Sequence, residues 1–325
     1  MATSAVFPGV QPRAGFYESF YLRAFDPAGP LGAWIRYTVH KRPGASARGS
    51  LWFTLFDARL DAPVQQKHTS DALAVPPGGW IAIEDSRLGA TEAAGECGGA
   101  RWSLRVTPSA PELRHLRPEL LYRAPVPRTK LTSPAPLARL DGSITTPAGG
   151  EIDVREWVGM VGHNWGGEHA ERWIWMHGAG FEDAPDAWLD ASLGRIAIGG
   201  RTTPFIANGT LCLDGVRHRL GGLGARGLEV AEGVDGARLR IPGARGLTLG
   251  IAIESPVALR AGWRYADPDG GEHDVVNCSL AALTLDVALP GGGTGRTLRT
   301  AHGGAYELGM RERDHGVAIA PFPDG

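Results

Sequence analysis

The chain has 325 residues, 33 Lys and Arg against 35 Asp and Glu, and a hydrophobic fraction of 43%. Its 47 Gly and 24 Pro exceed the usual frequencies of ~7% and ~5%, which argues against a helical bundle and favours short strands joined by turns. The hydrophobic fraction excludes disorder. A net charge of -2 without a basic run argues against a nucleic-acid partner.

Cysteine content and the absence of long apolar runs narrow the class further. Cys97, Cys212 and Cys278 are too few and too scattered for a disulfide framework or a zinc site. No apolar run approaches the ~18 residues of a membrane span, and the first residues lack the basic and apolar regions of a signal peptide. We therefore expect a cytoplasmic protein with no transmembrane segment.

Strand signals dominate the first half of the chain. Residues 20–25, 32–40, 49–57, 80–84 and 100–107 are rich in aromatic and β-branched side chains and are bounded by turn residues. In the second of these, alternation places Trp34 and Arg36 on one face and Ile35 and Tyr37 on the other. Large side chains on both faces indicate that one face lines a core or cavity and that the other is only partly solvated.

A second series of strands follows residue 150. It comprises residues 172–178, 188–199, 210–214, 238–241, 247–254 and 275–287. The sequence therefore predicts an all-β protein with few short helices, built as two successive antiparallel β-barrels or sandwiches over residues 1–155 and 156–325.

Residues 158–177 hold the densest group of chemically active side chains: His163, Glu168, His169, Glu171, His177, Trp165, Trp173 and Trp175. Gly162 and Gly166 flank His163-Asn164-Trp165, which predicts a bend that presents these side chains together. In the following strand, Trp173, Trp175 and His177 share one face by period two.

Three interpretations of this segment compete. His163, Glu168 and His169 could bind a metal, but their spacing fits no zinc signature, so we expect none. A serine hydrolase lacks its Gly-x-Ser-x-Gly motif. The remaining choice is between a site and a structural corner, in which a Trp closes a barrel end and His and Asn side chains satisfy buried backbone groups.

Three short motifs resemble one protein family. They are Tyr17-Glu18-Ser19-Phe20-Tyr21, Gly162-His-Asn-Trp-Gly166 and Trp173-Ile-Trp175, which are similar to the lipocalin-like superfamily of carotenoid 1,2-hydratases, tocopherol cyclases and lipocalin-like Diels–Alderases. The resemblance implies two tandem lipocalin-like (calycin-like) barrels with a hydrophobic pocket. It also implies catalysis without metal or redox cofactor: hydration, cyclisation or isomerisation of an apolar isoprenoid or polyketide.

On this resemblance we expect a polyene to lie against Trp165, Trp173 and Trp175, whose rings can stabilise a carbocation. A carboxylic acid kept neutral by apolar burial, Glu168 first and Glu18 second, would protonate an alkene. His163 or His169 would take the proton back or orient water. Further ligand contacts are predicted for Asn164, Tyr17, His177, Asn277 and His302; for Asn277 the alternative is a hydrogen-bonded core residue.

Two other functions remain open at this point. A cavity could fold a reactive substrate for pericyclic cyclisation by orientation alone. Alternatively, the protein could carry or sense a hydrophobic small molecule without turnover, because a fold does not determine function. Either would allow peripheral contact with membranes to collect an apolar ligand.

Overall fold

The computed structural model describes residues 3–289 and 295–323. It confirms the all-β prediction, because this part of the chain forms 24 strands and four short 3-10 turns. The turns are Phe7–Gly9, Glu119–Tyr122, Ala244–Gly246 and Val257–Leu259. None of the described helices is long and apolar enough to cross a membrane.

The first large sheet, here called the N-terminal sheet, has 12 antiparallel strands in the order β4-β3-β2-β1-β12-β11-β9-β8-β7-β6-β5, with β10 paired to β11. Its strands are β1 Phe16–Phe25, β2 Leu31–Lys41, β3 Arg48–Asp57, β4 Val64–Ser70, β5 Leu73–Ala74, β6 Gly79–Ile83, β7 Ser86–Gly89, β8 Glu92–Cys97, β9 Ala100–Pro108, β10 Leu113–Arg114, β11 Thr129–Thr145 and β12 Glu151–Gly166.

The C-terminal sheet has ten strands in the order β18-β17-β14-β13-β24-β23-β21-β20-β19, with β22 paired to β23; β15 and β16 form a separate pair. The strands of this half are β13 Arg172–Gly178, β14 Trp188–Arg195, β15 Ala197–Ile198, β16 Arg201–Thr202, β17 Ile206–Leu213, β18 Val216–Gly221, β19 Glu229–Gly233, β20 Gly236–Pro242, β21 Thr248–Glu254, β22 Ala261–Ala266, β23 Glu272–Ala288 and β24 Arg296–Met310.

Burial patterns show where the two sheets meet. In β9, buried and exposed residues alternate, as expected for a strand with one face in water. Every residue of β1 is buried, and β2 and β3 are buried at all but their first positions. One face of β1 to β3 therefore lines the core of the N-terminal sheet, while the other packs against the C-terminal sheet.

Register assigns side chains to these two faces. Phe20, Leu22 and Ala24 of β1 belong to the hydrophobic core of the N-terminal sheet. Phe25, on the opposite face, joins the core of the C-terminal sheet. Consequently the odd-numbered residues of β1 face the C-terminal sheet, and the even-numbered residues face the N-terminal core.

Polar and aromatic contacts hold the sheets together. Arg23, which is fully buried, donates from Nη1 to the carbonyl of Gly303 and from Nη2 to the carbonyl of Ser279, both at 3.0 Å. Trp52 packs edge-to-face on Trp263 with ring centroids 5.0 Å apart. Through these contacts the two sheets pack directly against each other.

The predicted division at residue 155 falls inside β12, which runs from Glu151 to Gly166 and pairs with β1 and β11. All of β12 is thus hydrogen-bonded within the N-terminal sheet. We propose that a division after Gly166, before β13 begins at Arg172, follows the sheets better.

Candidate functional site

A cavity of about 300 Å³ lies between the two sheets. The N-terminal sheet contributes Tyr17, Tyr21, Trp34 and Arg36 to its wall, and the C-terminal sheet contributes Trp173, Trp175, Ser192, Asn208, Tyr265 and Glu307. Val126, Ile198 and Leu223 also line the cavity and are 41%, 51% and 64% exposed, so they mark its opening. We call this space the inter-sheet cavity.

Strand register explains why aromatic side chains gather there. Trp175 on β13 pairs with Glu307 on β24 and with Ser192 on β14, so all three point to the same side. Tyr21 meets Trp175 edge-to-face, with centroids 5.5 Å apart. The prediction that Trp173, Trp175 and His177 share a face agrees with this register.

His169 lies in the connection between β12 and β13 and lines the cavity. Its ring stacks on Tyr17 at 4.0 Å and on Trp173 at 5.4 Å between centroids. Its backbone N–H and its Nδ1 both lie 2.7 Å from Oδ1 of Asp267. With Nδ1–H donating to this carboxylate, Nε2 carries the lone pair, and Nε2 is buried without a hydrogen-bond partner among the described residues.

Asp267 is 1% exposed and holds His169 in place. Burial alone would raise the pKa of this carboxyl group, but the hydrogen bonds from His169 outweigh it and lower the pKa. The second oxygen, Oδ2, lies 3.6 Å from Nδ1 of His273 and 3.9 Å from Nη2 of Arg311. Burial, the largest cause, lowers the pKa of His273 to about 4, so it is neutral.

His169, Asp267 and His273 are also the kind of residues that ligate metals. Within residues 3–289 and 295–323, their ligand atoms lie within 4.8 Å of one another. The guanidinium of Arg311, however, already places a positive charge beside Asp267, which weakens the attraction of that carboxylate for a second cation. The donor set therefore fits hydrogen bonding of His169 better than metal binding.

Glu307 supplies a second carboxylate to the cavity wall. Its Oε1 accepts from Nε1 of Trp173 at 2.9 Å, and its Oε2 accepts from the hydroxyl of Tyr265 at 3.2 Å and from Nδ2 of Asn277 at 3.3 Å. All three donors are neutral. Asn277 is thus hydrogen-bonded next to the cavity and orients a carboxylate there.

Glu18 and His163 lie on the other face of the N-terminal sheet. Glu18 is fully buried and accepts hydrogen bonds from Nε2 of His163 at 2.7 Å and from the backbone N–H groups of Val6 and Phe7. Burial lowers the pKa of His163, although Glu18 acts in the opposite direction. The ring of Trp165 stacks on His163 at 4.5 Å. This cluster closes one end of the N-terminal core, away from the cavity lining.

The expected bend at residues 163–165 is absent, because β12 continues to Gly166. A regular strand places Asn164 on the cavity side and His163 and Trp165 on the core side. Gly162 has a different role: a Cβ there would lie 2.2 Å from Cζ of Tyr21. Glycine at this position makes room for the Tyr21 ring on the neighbouring strand.

The other predicted site residues occupy separate places. Glu168 pairs with Arg128 and does not line the cavity. His177 is fully buried, accepts from Arg23 at Nδ1 and donates from Nε2 to the carbonyl of Pro136. His302 contacts the carbonyl of Asp26 at 3.2 Å. Of the twelve predicted residues, the cavity is lined by Tyr17, Asn164, His169, Trp173 and Trp175.

Sequence reasoning missed Asp267, Tyr265, Glu307 and Arg36 as site residues. Arg36 carried a signal, since alternation placed it beside Trp34 on one strand face. Asp267 directly follows β22 and Glu307 lies on β24, and both are far from residues 158–177 along the chain. Only strand pairing brings them to the cavity.

Sequence comparisons find relatives of this chain but no family model. No model of a known protein family matches the chain. Two uncharacterized proteins of Mycobacterium tuberculosis, from strains CDC 1551 / Oshkosh and ATCC 25618 / H37Rv, are 28% identical over 330 residues, covering 99% of this chain and 93% of each relative.

Three solved structures share the architecture at low identity. CghA has a TM-score of 0.58 at 12% identity, covering 91% of this chain and 88% of CghA. A protein described as AttH from Nitrosomonas europaea has a TM-score of 0.54 at 15% identity, covering 95% and 97%. Kievitone hydratase from Nectria haematococca has a TM-score of 0.52 at 8% identity, covering 95% and 96%. The chain therefore shares the fold of these three structures, which agrees with the tandem lipocalin-like architecture that the sequence resemblance implied.

Proposed function

We propose that the protein is an enzyme of hydratase or cyclase type that transfers protons to and from a hydrophobic small molecule in the inter-sheet cavity. The observation that carries the proposal is the placement of two proton-transfer groups in one aromatic cavity. His169 is fixed by Asp267, and Glu307 is held by neutral donors. Hydration, isomerisation and acid-initiated cyclisation each require one group to give a proton and another to remove one.

The roles of the residues follow from their contacts. His169 is the proposed base, since Asp267 fixes its tautomer with the lone pair on Nε2. Nε2 is enclosed in this structure, so the proposal requires a small movement of the ring or its neighbours to bring this atom to the ligand. Asp267 is a positioning residue that acts through His169. Glu307 lies on the other side of Trp173, which stacks with His169 and donates to Glu307. The Trp173 and Trp175 rings provide apolar surface that can stabilise developing positive charge.

The opening of the cavity supports an apolar ligand. Val126, Ile198 and Leu223 are exposed and line the cavity, so its opening presents apolar side chains that an apolar ligand can contact on entry. We propose that the ligand enters here, from solution or from a membrane surface. Sedimentation with phosphatidylcholine vesicles tests the second route: Leu223→Asp should reduce any sedimented fraction, and an unchanged fraction would exclude this rim as the contact.

Solvent deuterium tests the proton-transfer function. The ligand that copurifies is identified by mass spectrometry and incubated with fresh protein in D₂O. We expect a product that carries deuterium at carbon, and we expect Asp267→Asn to slow its formation by about 10²-fold or more. Asp269→Asn, which changes an exposed carboxylate two residues away, is the matched control and should have no effect.

Two outcomes would contradict acid–base catalysis. Recovery of the unchanged ligand from the wild-type protein would indicate a carrier. A product without deuterium, formed equally by Asp267→Asn, would indicate pericyclic cyclisation by substrate folding.

A further inference from the structure

Arg36 is a buried cation in the cavity wall. It lies on β2, is 5% exposed and lines the inter-sheet cavity. Its Nε donates to Oγ of Ser19 at 2.6 Å. Its guanidinium carbon lies 4.1 Å from the centroid of the Tyr265 ring. Ser19 and Tyr265 thus fix the guanidinium group in one orientation.

The outer nitrogens of Arg36 remain unsatisfied. In the described part of the chain, no carboxylate lies within ion-pair distance of Arg36, and Nη1 and Nη2 make no hydrogen bond. These two atoms are also not among the enclosed, unpartnered polar atoms of the protein. Since Arg36 as a whole is almost inaccessible from outside, its outer nitrogens open onto the cavity.

Arg23 shows how this protein satisfies a buried guanidinium that has no ligand to bind. On the same face of the N-terminal sheet, Arg23 donates to the carbonyls of Gly303 and Ser279 and to Nδ1 of His177. Only its Nε lacks a partner in the described structure. Arg36 has the reverse arrangement, with Nε bonded and the two outer nitrogens free.

A free guanidinium edge in an apolar cavity has one preferred partner. Two parallel N–H groups match the two oxygens of a carboxylate, and such charge-assisted pairs are about twice as strong as neutral hydrogen bonds. Water exclusion strengthens the interaction further. Arg36 lies deep in the cavity, whereas Val126, Ile198 and Leu223 mark the opening.

We propose that Arg36 binds an anionic oxygen group, such as a carboxylate, at the inner end of an otherwise apolar ligand. This inference rests on the proposed use of the cavity and narrows its substrate to amphipathic organic acids. The apolar body of the acid lies along Trp173 and Trp175 and extends towards the opening. His169 and Glu307 then act on the part of the molecule next to the anchored end.

Binding of matched probes tests the proposal without requiring turnover. Decanoate and decanol are titrated separately while tryptophan fluorescence is recorded, because Trp34, Trp173 and Trp175 line the cavity. We expect decanoate to bind about tenfold to a hundredfold more tightly than decanol. Arg36→Gln should remove this preference while leaving decanol affinity unchanged, and Arg36→Lys should retain part of it.

Two comparisons distinguish the loss of a specific contact at Arg36 from a general effect of removing an arginine or of misfolding. Arg238→Gln, at an exposed arginine, should keep the full preference for decanoate. If Arg36→Gln fails to fold, the comparison of decanoate with decanol on the wild-type protein still decides. Equal affinities there, or an undiminished preference in a folded Arg36→Gln protein, would overturn the proposal.

The deuterium experiment and the binding experiment test different proposals, so either proposal can be refuted without the other. Asp267→Asn should keep the preference for decanoate while it loses turnover. Loss of the preference in Arg36→Gln alone would support the Arg36 assignment even if the wild-type protein proved to be a carrier.

Discussion

Gly162→Ala tests the packing that shapes the cavity wall. The added Cβ would lie 2.2 Å from Cζ, 2.4 Å from the hydroxyl oxygen and 2.6 Å from Cε2 of Tyr21. Since ordinary contacts start near 3.4 Å, the Tyr21 ring must move. Overpacking of this kind costs about 1–3 kcal/mol of folding free energy. Each kcal/mol lost lowers the melting temperature by about 2–4 °C in a protein of roughly 150–250 residues or more.

Differential scanning calorimetry measures the effect, with Gly29→Ala as the control because a Cβ at residue 29 meets no atom within 4 Å. We expect Gly162→Ala to lower the melting temperature by about 2–12 °C and Gly29→Ala to leave it nearly unchanged. In a Tyr21→Leu background, which removes the ring that clashes, Gly162→Ala should cost much less. An equal loss with and without the Tyr21 ring would refute the packing argument.

Three further predictions concern buried polar groups. The pKa of His177 is lowered to about 4, first by burial and then by the charge of Arg23, so the unfolded chain binds more protons between about pH 6.5 and 4. Stability should therefore fall as pH falls through that window, and His177→Gln should flatten the dependence of the melting temperature on pH; an unchanged slope would contradict this. Ser133 donates to the buried carboxylate of Asp190, so Ser133→Ala should lower the free energy of unfolding, measured by chemical denaturation, by about 1–3 kcal/mol. An unchanged free energy of unfolding would contradict a stabilising role for this hydrogen bond. Arg23→Lys keeps the charge but cannot reproduce three hydrogen bonds to β13, β23 and β24, so it should lower the melting temperature although Arg238→Lys does not.

The sequence predicted the fold class well because its signals are local. Gly and Pro between short aromatic runs indicate strands and turns, and the alternation of Trp173, Trp175 and His177 follows from strand geometry. Alternation also separated Arg36 from Tyr37 on β2. The alternation of side chains could not show that both faces of β2 are buried, because the burial of the second face depends on the C-terminal sheet packing against the N-terminal sheet.

The site was harder to predict because it forms between sheets. The residues 163–165 looked like one cluster, yet a regular strand sends neighbours to opposite faces, so His163 joined Glu18 in the core and Asn164 joined the cavity. His169 lies in the connection after β12, where no period applies. Its partner Asp267 is 98 residues away in sequence and directly follows β22, so only the folded arrangement of the C-terminal strands brings it to His169.

The central claim is that ligand binds between the two sheets rather than inside the N-terminal core. A crystal structure of the protein with its copurified ligand, or with decanoate, tests this most directly. We predict electron density between Trp173 and Tyr21, within contact distance of His169 and with an oxygen at Arg36. Ligand density beside Glu18 and His163, inside the N-terminal core, would contradict the claim.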